Sequence, residues 1–233
     1  MPETVQFAVV CPHNLKVLTA SLGGEPIGSI EVFYPEINAV QEADDAVEED
    51  YDEDEQLYSA MAKSSLANKF PSTSIPVVLL DSTAILLTIP YFSNAITYNV
   101  LAKSIVSTIK CHKWLTLAPA PLNNNHTLNK LYVDNELNNV NLRNVPNLAP
   151  PHFVTGISAA VVSQLRLTSH ANYAMIVLQS EGQPGFEKSD SDAIVDAAYT
   201  LSSLLLHNSH DYVAAVSLVV RKFNPYSNSG MYL

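Results

Sequence analysis

Met231, Tyr232 and Leu233 concentrate binding chemistry at one end of this 233-residue sequence. An apolar side chain can fill a pocket and a phenol brings an aromatic face with one hydrogen-bonding tip. The last carboxylate can pair with a lysine or be caught by backbone amides. The stretch before them, Asn224-Pro225-Tyr226-Ser227-Asn228-Ser229-Gly230, has no apolar period and is rich in turn formers, which predicts a loose tether. A hydrophobic-Tyr-any ending arises by chance in about 2 of 100 chains of this composition, so the remaining residues must decide its meaning. His207, His210 and Asp211 form the tightest histidine cluster. A metal there would need further donors that no nearby residue supplies, and a polar turn between helices is expected instead. Cys11 and Cys111 end predicted elements amid apolar residues, the setting of inert buried thiols rather than nucleophiles. Glu181, Glu187 and Asp190 flank a turn at Pro184-Gly185 and could serve as paired carboxylates. A better use for them is the positive end of a helix starting near Ser189.

Several chemistries lack their residues. Neither G-x-x-x-x-G-K-[ST] nor G-x-G-x-x-G occurs, and seven glycines leave little from which to build a phosphate cradle. Thr155-Gly156-Ile157-Ser158 resembles a G-x-S-x-G elbow only superficially. No cofactor and no metal are expected. The 12 Lys and Arg form no stripe, so nucleic acid is not an expected partner. Apolar runs such as Ala84 to Ile89 and Met175 to Leu178 are far short of the roughly 20 residues that span a membrane, so no membrane partner is expected either. Met1-Pro2-Glu3-Thr4 lacks the features of a signal sequence, and two cysteines cannot form a disulfide framework; a cytosolic or nuclear protein is the expectation. The net charge of −11 is concentrated in one place: ten acids lie between Glu42 and Glu55, and without them the chain stands at −1. Such a self-repelling run predicts a disordered, solvated insert, with binding of a basic partner as its functional alternative.

The elements that must carry these residues read as alternating strands and helices. Thr4 to Val10, Leu15 to Ser21 and Ile27 to Phe33 are predicted strands, sequential and antiparallel. Pro76 to Leu80 and Thr83 to Ile89 flank a turn at Asp81-Ser82. Ser93 is a candidate cap for a helix reaching Lys110, with Tyr98, Leu101, Ala102, Ile105 and Ile109 on one face. Lys113 to Ala118 is a buried strand carrying the one tryptophan, Trp114. Residues 123–147 contain ten asparagines and are expected to be mostly loop, with a short edge strand at Leu128 to Val133. A small-residue helix is predicted over Val154 to Leu165, then a strand over Tyr173 to Leu178. A helix follows from a capping box at Ser189 and Asp192 to about His207, and a last one covers Asp211 to Phe223 with Tyr212, Ala215, Val216, Val219 and Phe223 along its stripe. The period changes from 2 to 3.6 and back, which predicts a three-layer α/β fold. Residues 1–223 form a single domain with a central sheet flanked by helices, the acidic insert at 42–55 and a flexible tail at 224–233.

Two internal stretches and the tail carry a family resemblance. Pro150-Pro151-His152-Phe153-Val154-Thr155-Gly156, leading into Val161-Val162-Ser163-Gln164-Leu165, resembles the proline-to-helix segment of the proteasome assembly chaperone 1 family. Ser180-Glu181-Gly182-Gln183-Pro184-Gly185-Phe186-Glu187-Lys188 is similar to that family's segment in type, order and position. The ending, a small residue before hydrophobic-Tyr-any, is similar to that of fungal members. Residues 76–233 carry the resemblance well; the front third matches only in its strands and acidic insert. The resemblance implies a non-enzymatic chaperone that forms a heterodimer with a second, related chaperone on the outer face of the proteasome α-subunit ring. It also implies that Met231, Tyr232 and Leu233 enter a pocket between adjacent α subunits, blocking premature docking of regulators that use the same kind of tail. Methionine at the apolar position is a departure, flexible and less specific in shape. The competing expectation is a small-molecule enzyme on the same α/β layers, hydrolase-like or nucleoside-phosphorylase-like, because fold alone does not fix function.

Overall fold

A computed structural model describes residues 4–32, 73–122, 125–131, 140–169, 172–206 and 210–223. In chain order the elements are β1 (Val5–Pro12), α1 (Lys16–Ala20), β2 (Glu25–Val32), β3 (Thr73–Leu80), β4 (Ala84–Ile89), α2 (Ala95–Thr108) and β5 (Cys111–Ala120). They continue with β6 (Leu128–Leu131), α3 (Val140–Asn144), α4 (Gly156–Leu167), β7 (Tyr173–Glu181), β8 (Lys188–Ser189), α5 (Ser191–Leu205) and α6 (His210–Phe223). The sheet runs β2-β3-β4-β1-β5-β7-β6, with β8 paired to β7. Its centre, β4-β1-β5-β7, is parallel, and antiparallel strands close both sides.

The strand sequences explain this order. Phe7 to Cys11 is buried at every residue, as a strand covered on both faces must be, and β1 takes the middle of the parallel region. On one face Phe7, Val9, Cys11, Leu115, Leu117 and Ile176 pack against α1, α5 and α6. On the other, Ala8, Val10, Leu87 and Trp114 pack against α2 and α4. The three-layer α/β single domain is thus observed. By contrast β2 has only exposed and half-buried residues, which suits its place at one side of the sheet.

Several boundaries differ from the sequence expectation. Leu15 to Ser21 is no strand: a 3-10 turn at His13–Leu15 leads into α1, and Leu15, Leu18 and Thr19 are buried at helical spacing. Consequently β1 and β2 are not neighbours, since β3 and β4 lie between them. The cap of α2 is Asn94, whose Oδ1 accepts the amide of Ile96 at 2.9 Å, rather than Ser93. Within the Asn-rich region Val140–Asn144 forms a short helix, and Lys130 Nζ bonds the carbonyls of Leu142 at 2.7 Å and Arg143 at 3.3 Å near its end. Along α6 the buried residues are Tyr212, Val213, Val216 and Val220; Ala215 and Val219 are half-buried.

The acidic run at 42–55 lies outside the described residues. Deleting Glu42 to Glu55 is expected to shift the thermal midpoint by no more than a few degrees, because ten like charges gain nothing from packing. Loss of cooperative unfolding in that variant would place the run in the core.

Candidate functional site

The candidate binding residues Met231, Tyr232 and Leu233 lie outside the described residues, so the structure locates their root. Helix α6 is held by Tyr212, whose hydroxyl donates to the Leu18 carbonyl at 2.9 Å in the buried layer between α6 and α1. Its last turn carries Arg221 and Lys222, basic groups suited to the negative end of a helix. Arg221 borders a shallow depression shared with Gly182, Lys188 and Asp190, at the carboxyl end of β7.

A cleft of about 200 Å³ opens at the carboxyl ends of β1, β4 and β5, where open parallel sheets place their ligands. Each of these strands meets a proline there: Pro12, Pro90 and Pro119. The amino ends of α2 and α4 border it, and Pro184, Gly185 and Glu187 close it from the loop after β7. Asn14 donates from Nδ2 to the Glu187 carbonyl at 3.2 Å and to its Oε2 at 3.0 Å, and the Gly185 amide donates to the same Oε2 at 2.8 Å. Gly185 has φ +87, and a Cβ there would sit 2.0 Å from carbons of the Tyr91 ring; only glycine permits this approach. Tyr91 in turn packs on Phe186 with centroids 4.8 Å apart. Tyr98 accepts the Phe92 amide at 2.9 Å; burial raises its phenol above the ordinary value, more than that hydrogen bond lowers it.

The structure separates the carboxylates that the sequence grouped. Glu187 belongs to the cleft, while Glu181 and Asp190 border the other depression. Asp190 is the residue before α5 and makes no side-chain cap bond; the expected capping box fails because Ser189 lies in β8, its hydroxyl 2.6 Å from that of Ser180. His210 and Asp211 stand 4.0 Å apart and exposed, and His207 is outside the described residues. Among the described residues no group of three or more His, Cys, Asp or Glu could hold a metal, and no helix is long and apolar enough to cross a membrane.

Cys11 is fully buried and Cys111 half-buried; burial pushes both thiols up to about 12, outweighing the hydrogen bonds that lower them. Neither is a nucleophile at neutral pH. Burial raises the Tyr212 phenol as well, with Cys11 adding to it. All three are acids whose folded values exceed their unfolded ones, so their contribution to stability is complete below the unfolded values and is lost as pH rises through the folded ones. Stability to urea is expected to hold up to about pH 9 and fall between about pH 9 and 12. Urea midpoints measured across that range check it; a flat profile to pH 12 would mean that these groups ionise freely in the fold.

Sequence comparison decides the family. The model of the POC1 chaperone matches residues 1–233, the whole chain. The chain belongs to the POC1 chaperone family. This is a proteasome assembly chaperone family, non-enzymatic and implying a proteasome subunit as partner. No curated protein sequence matches the chain. Among solved structures it is similar to Pyrococcus furiosus PbaA, an archaeal homolog of proteasome-assembly chaperone, with TM-score 0.59 and 14% identity over 95% of this chain and 91% of that one. It is also similar to a Mycobacterium tuberculosis proteasome-assembly chaperone homologue, with TM-score 0.52 and 10% identity over 96% and 97% of the two chains. A Thermoplasma acidophilum protein of unknown function matches at TM-score 0.54 and 8% identity over 96% of this chain and 88% of the other. At these identities the likeness concerns the fold of the POC1 chaperone.

The cleft residues Asn14, Tyr91, Tyr98 and Glu187 were not grouped by sequence reasoning. The available signal was a proline closing three predicted apolar segments, at Pro12, Pro90 and Pro119.

Proposed function

We propose that this POC1 chaperone acts as one half of a heterodimer with a second, related chaperone on the outer face of the proteasome α-subunit ring. Met231, Tyr232 and Leu233 enter a pocket between adjacent α subunits, and the pair assists ring assembly while blocking premature docking of regulators. It works in the cytosol and also in the nucleus. The family match over residues 1–233, together with the Met-Tyr-Leu ending, carries this reading. The body of the domain is compatible with it: burial raises both thiols, and the Glu187 carboxylate is engaged by Asn14 and the Gly185 amide.

Co-purification from cell extract tests the reading. A chain tagged at its amino terminus is expected to bring down α subunits and one related chaperone, and to require that chaperone for good solubility, since a heterodimer subunit keeps apolar surface for its partner. Recovery of a well-behaved monomer without either partner would overturn it.

A further inference from the structure

The cleft at the strand ends has no part in the tail reading, yet it is built for an occupant. Asn14 is the informative residue. Both groups that face its Nδ2 are acceptors, the carbonyl and Oε2 of Glu187, so the nitrogen must point to them and the amide orientation is fixed. Its Oδ1 is thereby turned away, buried and without a partner among the described residues. An unpaired buried acceptor costs stability, and what it lacks is a donor. Beside it the Glu187 carboxylate uses only Oε2 for Asn14 and Gly185. The amino ends of α2 and α4 favour an anion nearby, but Glu187 already fills that role. A second anion would meet a carboxylate and an orphaned carbonyl oxygen.

Size and rim narrow the class further. At about 200 Å³ the cleft is below the range of pockets that hold drug-sized ligands, and it suits a single side chain. Its walls are apolar, with Pro12, Ile89, Pro90 and Ile157, and would take an alkyl stem. Tyr91 and Phe186 remain 45% and 70% exposed at the mouth, and Phe153, two residues before the lining Thr155, is 72% exposed. Exposed aromatics around a pocket mark a protein contact, and an aromatic face also attracts a guanidinium.

We propose that this cleft is a socket for one arginine side chain of a partner protein, its guanidinium pairing with Glu187 and, with a small rotation of the Asn14 side chain that opens its buried Oδ1 to the cleft, donating to that oxygen. Arginine fits better than lysine because a planar fork of donors can serve both acceptors at once and stack on Tyr91. The socket is independent of the Met231 to Leu233 contact, and its test leaves that tail untouched.

The test is a titration of the full chain, followed by NMR at the amides of Asn14, Gly185 and Glu187, with three small probes. These are N-acetylarginine amide, the neutral isostere N-acetylcitrulline amide, and the anion N-acetylglutamate amide. The arginine probe is expected to saturate in the millimolar range and to bind at least tenfold tighter than citrulline, with no binding of glutamate at these amides. Glu187→Gln should weaken the arginine probe at least fivefold. Because that change could loosen the Gly185 loop, Ala95→Phe provides a second variant: it occludes the cleft from the start of α2 while leaving Asn14 and Glu187 themselves unsubstituted, and should abolish the shifts. Equal binding of arginine and citrulline, preference for glutamate, or arginine shifts that survive Ala95→Phe would each overturn the proposal.

Discussion

Removing Met231 to Leu233, or adding one residue after Leu233, is expected to weaken binding to the α ring by about 30-fold to several thousand-fold, and replacing Tyr232 by Ala to weaken it through loss of the aromatic anchor, with the fold unchanged. The magnitude follows from the terminal carboxylate. If it pairs with a buried lysine, its loss leaves that cation unpaired at a cost on the order of 2 to 5 kcal/mol, expressed mainly in the off-rate. The seven residues Asn224 to Gly230 can span at most roughly 25 Å, enough to reach into a pocket from a docked body. The extended chain is the discriminating variant, because it keeps every side chain and moves only the charge. Surface binding kinetics on isolated α rings would read all three, with circular dichroism as the control for folding. Ring affinity unaltered in every variant would assign binding to the body of the domain.

The second large effect belongs to the core. Trp114→Ala is expected to cost about 3 to 5 kcal/mol, since Trp114 is 1% exposed where β5 meets the α2 and α4 layer. Set against a total stability of about 5 to 15 kcal/mol, that loss lowers the thermal midpoint by roughly 6 to 20 °C. Trp114→Phe should cost much less. Its indole Nε1 is buried without a partner among the described residues, so the smaller ring loses contacts but also removes an unsatisfied donor. Thermal melts of the two variants check the pair; equal destabilisation would mean that the indole nitrogen is satisfied in solution.

Elements with a strong period were legible in the sequence. The hairpin of β3 and β4, the helices α2, α4, α5 and α6, and the strands β5 and β7 all lie where apolar spacing placed them, to within a few residues. The segment Leu15 to Ser21 reads as a strand because Val17 and Thr19 are β-branched and seven residues hold too few turns to reveal a helical period. Burial of Leu15, Leu18 and Thr19 shows that the sheet, rather than propensity, settles it. Strand order failed for a related reason: the uniform apolar run of β1 signals cover on both faces but names no neighbour. The cleft is least legible of all. Its residues come from 12–14, 89–98, 119, 155–158 and 184–187, and only the fold brings them together.

The placement of β1 also sets a timetable for synthesis. This strand is near the start of the chain, yet its two neighbours are β4, beginning at Ala84, and β5, beginning at Cys111. At about 5 to 20 residues per second a ribosome takes roughly 5 to 20 s to make the hundred residues that separate β1 from β5. Throughout that interval Phe7 to Cys11 is an apolar strand with at least one open edge, the kind of segment that aggregates when left unpaired. A nascent POC1 chaperone therefore passes through a stage in which it is itself in need of protection.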